Sequence, residues 1–171
     1  MGRNRATQGG KIITAFQNRY HPSPGMTRRD GADLALAGRD LAAIAPVAVA
    51  VSRAGRTALT LHCDVTDAPS VADAAATAED AFGRIDILVN VAGGTGPVGK
   101  TGMETTEAEF DEIVAVNLKG CFLTMRALLP GMTARGYGRI VNVGGTFGLR
   151  GRAGRMAYSA SKWGLRGMTK S

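Results

Sequence analysis

A chain of 171 residues suits one domain that buries a substantial core. Its 44% hydrophobic content and 24 glycines point to a soluble α/β protein with many tight turns, and no apolar run is expected to reach membrane-spanning length. The net charge of +7 is unevenly placed: acids outnumber bases from Ala32 to Glu112, whereas Ile113–Ser171 holds ten Lys or Arg and no Asp or Glu.

Short apolar runs alternate with helical patterns along the chain, the signature of βαβ units and a parallel sheet. Strands are predicted at Lys11–Phe16, Ala32–Ala37, Thr57–His62, Asp86–Val91 and Arg139–Val143. Their near-continuous apolar character suits strands covered on both faces. Helices are predicted at Leu41–Arg53, Val71–Phe82 and Thr106–Met132, with a further helix carrying Tyr158. The third opens on a capping box, Thr106-x-x-Glu109, and its stripe runs Phe110, Ile113, Val114, Cys121, Met125, Leu128. Right-handed crossovers place such helices on both faces of the sheet. Asn117 falls on that stripe, where an amide must be hydrogen-bonded, and Gly120 weakens the helix close by. Together they predict a local break in which Asn117 bonds backbone or water.

The basic C-terminal half raises nucleic acid as a partner, but Arg150-Gly-Arg152-Ala-Gly-Arg155 has no interleaved aromatic platform for bases. A phosphate-bearing cofactor, or a cut that removed balancing acids, accounts for the charge better. The basic N-terminus lacks an apolar h-region, so it does not read as a secretory signal. It has no acid before Asp30, but Pro22, Pro24 and Gly25 argue against the amphipathic helix of a transit peptide. Cys63 and Cys121 have no metal or redox spacing and read as buried free thiols of a cytoplasmic protein. No metal site is expected.

The residues that carry chemistry lie near the end. Tyr158 and Lys162 stand four apart, one turn along a single helix face, where the ammonium favours the phenolate. Such a pair can give and take the proton of a carbonyl/alcohol couple.

Five motifs in order strengthen the reading: Asp64-Val65-Thr66-Asp67, Asn90-Val91-Ala92-Gly93, Val116-Asn117-Leu118, Gly138-Arg139-Ile140-Val141-Asn142-Val143, and Tyr158-x-x-x-Lys162. From about Gly31 to Ser171 the chain resembles the short-chain dehydrogenase/reductase family. The resemblance implies a single Rossmann-like three-layer α/β/α domain over 1–171, with a mostly parallel sheet. It also implies NAD(P)-dependent hydride transfer to or from a small-molecule carbonyl or secondary alcohol, and a homodimer or tetramer in the intact form. By the same resemblance, Tyr158 protonates the substrate oxygen, Lys162 tunes Tyr158 and holds the nicotinamide ribose, and Asn117 holds a water of the proton path. Asp64 and Val65 border the adenine, Ala92 and Gly93 the adenine ribose, and Asn90 steadies the sheet as much as it binds. Gly38 stands where NAD-preferring members carry an acid and Arg39 follows it, so NADP is favoured, with NAD the alternative.

The chain departs from the family pattern in three places. The usual serine position is Gly145, with Thr146 the adjacent hydroxyl that could substitute. The glycine-rich turn expected after the first strand is replaced across 15–30 by a segment holding one glycine, Gly25, and two prolines. The last two strands of the family sheet are missing, which leaves the fifth strand as an uncovered edge. The alternative function is therefore an inactive or weakly active remnant serving at most as a dimerisation partner.

Overall fold

The computed structural model describes residues 31–171 and the backbone of the strand β1, Lys11–Phe16. Most of the unusual 15–30 segment, including Pro22, Pro24 and Gly25, lies outside the described residues. The remaining elements are β2 (Asp33–Gly38), α1 (Leu41–Arg53), β3 (Ala58–His62), α2 (Ala68–Phe82), β4 (Ile87–Asn90), α3 (Glu107–Val114), α4 (Gly120–Ala134), β5 (Arg139–Asn142) and α5 (Met156–Lys170). A π turn at Ala115–Lys119 joins α3 to α4, and a 3-10 turn spans Thr146–Gly148.

All strand pairs are parallel, in the order β3-β2-β1-β4-β5. The chain works outward from β1 to β3, then returns across the sheet to β4. The order therefore reverses between β1 and β4, and ligands of such sheets bind outside the strand ends at that point.

The period-two alternation of β2 separates the two cores. Leu34 and Leu36 pack with Ile44 and Val51 of α1, whereas Ala35 and Ala37 join α2 and α4 residues such as Ala78, Leu128 and Met132. Helices thus cover both faces, completing three layers. β5 forms one edge of the sheet, with Val141 and Val143 exposed.

Local capping sets the helix starts. Asp40 accepts from the Ala42 and Ala43 N–H groups at the head of α1. Asp67 accepts from Ser70 N–H at the head of α2, which begins three residues earlier than the apolar pattern alone indicates. Gly83 closes α2 at φ 73°, a conformation that suits glycine. The Thr106–Glu109 capping box forms in both directions.

The predicted Thr106–Met132 helix is one helical run interrupted by the π turn, with Asn117 inside it. By length and composition the 28-residue run Glu107–Ala134 is apolar enough to cross a membrane, which corrects the expectation that no such run exists. Its apolar side has another use here, because Ile113, Cys121, Leu123, Leu128 and Met132 are buried in the fold. Gly120 explains how close the run comes: a Cβ there would stand 2.9 Å from Val65 Cγ2.

Candidate active site at the strand ends

The site is built from the segments that follow β4 and β5, together with the π turn and α5. Asn117 is fully buried, and its amide is bonded on both sides. Its Oδ1 accepts from Gly94 N–H at 2.7 Å, while Nδ2 donates to Gly94 O at 3.0 Å and to Ser161 Oγ at 3.1 Å. Ser161 in turn donates to Tyr158 O at 2.8 Å. Asn117 therefore clamps the loop after β4 to the helix that carries Tyr158. The expectation that it bonds backbone holds, and the local break is a π turn.

Lys162 is buried, and its ammonium donates to Val143 O just past β5 at 2.9 Å. The Nζ lies 5.9 Å from the Tyr158 ring centre. Burial lowers the lysine pKa, opposed by the nearby Cys121 thiol. Gly93 makes this arrangement possible, because a Cβ there would stand 3.1 Å from Asn117 Oδ1 and 3.7 Å from Lys162 Nζ. A glycine predicted to admit a ribose thus also admits the site's own side chains.

Tyr158 is half-buried and meets Phe147 edge to face, ring centres 5.9 Å apart at 79°. Its hydroxyl faces position 145: a Cβ added to Gly145 would stand 2.7 Å from it. Thr146, one residue on, is exposed and opens the 3-10 turn. Gly148 lets that turn lie against α5, since a Cβ would stand 3.0 Å from Lys162 O.

The other predicted residues fall into two groups. Asn90 belongs to a polar chain that runs from the core to the surface: it donates to Asn142 Oδ1 at 2.8 Å and accepts from Thr124 at 2.7 Å, and Asn142 donates onward to Thr169 at 3.0 Å. This chain stitches α4, β4, β5 and α5 together, the steadying role expected of Asn90. Ala92 and Val65 are core residues, with the Val65 side chain against Gly120.

Asp64 and Arg39 stand at the ends of β3 and β2, at the other half of the sheet. Asp64 Oδ1 accepts from Thr66 N–H at 2.9 Å and Thr66 Oγ1 at 2.7 Å, and its Oδ2 lies 3.8 Å from the half-exposed Arg39 guanidinium. Burial would raise its pKa, but the Thr66 bonds and the Arg39 and His62 charges bring it below the usual carboxylate value.

The sequence patterns gave no role to Gly94, Thr124, Asn142 or Ser161, although Asn142 lies within one of the motifs. Ser161 sits inside the Tyr158–Lys162 motif, but a serine there has no distinguishing pattern. Burial also pushes both thiols up, Cys63 to about 11 with help from Asp64 and Cys121 to about 11 against the Lys162 charge.

Comparison with known proteins agrees with this architecture. A family model described as short chain dehydrogenase matches residues 26–171. The chain is 43% identical over 114 residues to 2-(R)-hydroxypropyl-CoM dehydrogenase of Xanthobacter autotrophicus, covering 66% of this chain and 46% of that protein. It is 41% identical over 117 residues to trans-4-hydroxycyclohexanecarboxylate dehydrogenase of Sinomonas cyclohexanicum, covering 67% and 43%. A solved F189W actinorhodin polyketide ketoreductase with NADPH superposes at a TM-score of 0.83 and 27% identity, covering 96% of this chain and 64% of that one. The chain spans less than half the length of these two curated relatives. With the parallel sheet, the strand-end cluster and a family match over most of its residues, the chain belongs to the short-chain dehydrogenase/reductase family of nicotinamide-dependent oxidoreductases.

Proposed function

We propose that the protein interconverts a carbonyl and a secondary alcohol by hydride transfer, with Tyr158 as the proton donor and acceptor. The observation that carries this reading is the placement of Lys162: a buried ammonium, fixed on Val143 O beyond β5, stands beside the Tyr158 ring. A bound nicotinamide dinucleotide supplies or accepts the hydride. In reduction the Tyr158 hydroxyl gives its proton to the substrate oxygen, and in oxidation the phenolate takes it back. The Lys162 charge favours that phenolate and offers donors to the nicotinamide ribose. Asn117 already uses both amide hydrogens, so a water of the proton path would bond its carbonyl oxygens.

The dinucleotide fits the described residues in part. Gly93 carries no side chain beside Lys162, whereas Ala92 and Val65 lie in the core and Asp64 Oδ2 already faces Arg39, a charge that an adenine amino group would have to share. The absence of an acid at Gly38 and the half-exposed Arg39 favour NADP over NAD through a 2′-phosphate. A lower Michaelis constant for NADPH than for NADH supports this preference, and the reverse order removes it.

The activity test mixes the chain with NADPH and a simple ketone and follows nicotinamide absorbance. Tyr158→Phe is expected to lower kcat by about 10²-fold or more while leaving nucleotide affinity within about twofold. An undiminished rate in Tyr158→Phe rejects the assignment.

A second reading is association without turnover. Phe122 and Leu129 of α4 and Trp163 of α5 are exposed, an apolar set suited to pairing with a second copy or an intact relative. Dimers in sedimentation together with no NADPH binding would favour it. In either case the buried, unpaired thiols Cys63 and Cys121 fit a reducing cytoplasm.

A further inference from the structure

Two arginines stand at the Phe147–Tyr158 ring pair, outside the Tyr158–Lys162 motif. The Arg155 guanidinium carbon lies 4.8 Å from the Tyr158 ring centre and 5.8 Å from that of Phe147. The Arg152 guanidinium lies 5.2 Å from the same Phe147 ring. With Phe147 edge-on to Tyr158, two cations and the phenol share one aromatic cluster. Arg155 is held in place: its Nη2 donates to Thr95 O at 2.8 Å, and Gly99 N–H donates to Gly154 O at 3.0 Å, tying the loop after β4 to the arginine-bearing loop.

These charges are poorly compensated. Ion pairs among the described residues engage Arg39, Arg56, Arg84 and Lys100, and neither Arg152 nor Arg155. No Asp or Glu follows Glu112 in the chain. Arg155 is also the N-cap residue of α5, which has no acid in its first turn, so its charge adds to the helix's positive end. Its Nε is buried without an acceptor among the described residues. Ring faces attract cations, but they do not neutralise two of them. A planar oxyanion would, because a guanidinium fork matches carboxylate geometry.

We propose that Arg155, with Arg152 beside it, forms an oxyanion-recognition subsite next to Tyr158. The substrate is then a ketone or secondary alcohol bearing a carboxylate a few bonds from the reacting carbon. This rests on the reading of Tyr158 as the proton-transferring group, since that places the reacting oxygen at its hydroxyl. The arginines act on binding and orientation, so their loss raises KM far more than it lowers kcat.

The test is calorimetric titration of 4-oxopentanoate and of its uncharged methyl ester into the full chain, with and without saturating NADPH. Wild type is expected to bind the carboxylate at least about tenfold more tightly than the ester. Arg155→Met should erase that preference, Arg155→Lys should keep part of it, and Arg166→Gln on the outer part of α5 should keep all of it. Equal binding of acid and ester by wild type, no binding of either, or a preference surviving in Arg155→Met overturns the subsite. The acid-against-ester comparison in wild type decides even if Arg155→Met fails to fold. NADPH titration reads the parent hypothesis separately. Nucleotide binding without an acid preference rejects only the subsite, and an Arg155-dependent preference without nucleotide binding rejects only hydride transfer.

Discussion

The Tyr158 hydroxyl lies 2.7 Å from where a Cβ on residue 145 would stand, so Gly145 leaves room that the phenol itself uses. Restoring the family serine is therefore not a simple addition. Any side chain at 145 must first displace the hydroxyl.

That contact defines the first prediction. Gly145→Ala and Gly145→Ser displace Tyr158 equally, but only serine adds a hydrogen-bond donor for the substrate oxygen. The Ser variant should exceed the Ala variant in kcat/KM by about 10²-fold. If Thr146 supplies the substituting hydroxyl, Thr146→Ala should lower the rate, and an unchanged rate removes that role. Steady-state ketone reduction measures all three. A Ser-to-Ala ratio near one would place the substrate oxygen elsewhere.

The Asn117 clamp predicts a structural cost separate from catalysis. Asn117→Ala leaves the part-buried Gly94 N–H and C=O without their partner and reduces Ser161 to its bond with Tyr158 O. A loss of about 2–4 kcal/mol in urea denaturation is expected. A loss below about 0.5 kcal/mol, the range of ordinary surface substitutions, would mean that the loop and α5 hold together without it.

Gly120 sets helix propensity against packing. Alanine gains about 1 kcal/mol in a helix interior, but its Cβ would overlap Val65 Cγ2 and overpacking costs about 1–3 kcal/mol. Gly120→Ala should therefore be net destabilising. The double variant Gly120→Ala with Val65→Ala should be less unstable than the sum of the two single changes. Additive single and double variants in the same denaturation assay would contradict the contact.

Asp64 predicts part of the acid limb of stability. Its carboxyl is opposed by burial but held below the usual value by Thr66, Arg39 and His62, so the folded state prefers the ion. The stabilisation is fully present above the unfolded pKa near ~3.9 and is lost as pH falls through the lower folded value. Asp64→Asn removes this contribution, so its melting temperature should fall less steeply than wild type in that acid window. Parallel thermal melts from neutral pH downward compare the slopes.

Local chemistry made most of the architecture legible. Apolar runs such as Ile87–Asn90 and the Thr106–Glu109 box depend on neighbours within a few residues, and those elements lie where the pattern puts them to within three positions. Asn117 was legible as an anomaly, because a polar residue on an apolar stripe requires a partner. The identity of that partner was not legible, since Gly94 lies 23 residues away and nothing local names it. Gly93 shows the same limit: the sequence says that space is needed there, whereas the fold says that Asn117 and Lys162 take it.

The sequence by itself determined the strand and helix content and the parallel βαβ order, because each follows from a period of two or about four residues. Only the tertiary structure decided that Tyr158 fills the space beside Gly145, that Asn90 serves a polar chain across four elements, and that two arginines without an ion pair among the described residues gather at the Phe147–Tyr158 rings. Those relations join residues through separate strands and loops, and side-chain packing rather than chain spacing determines which groups meet.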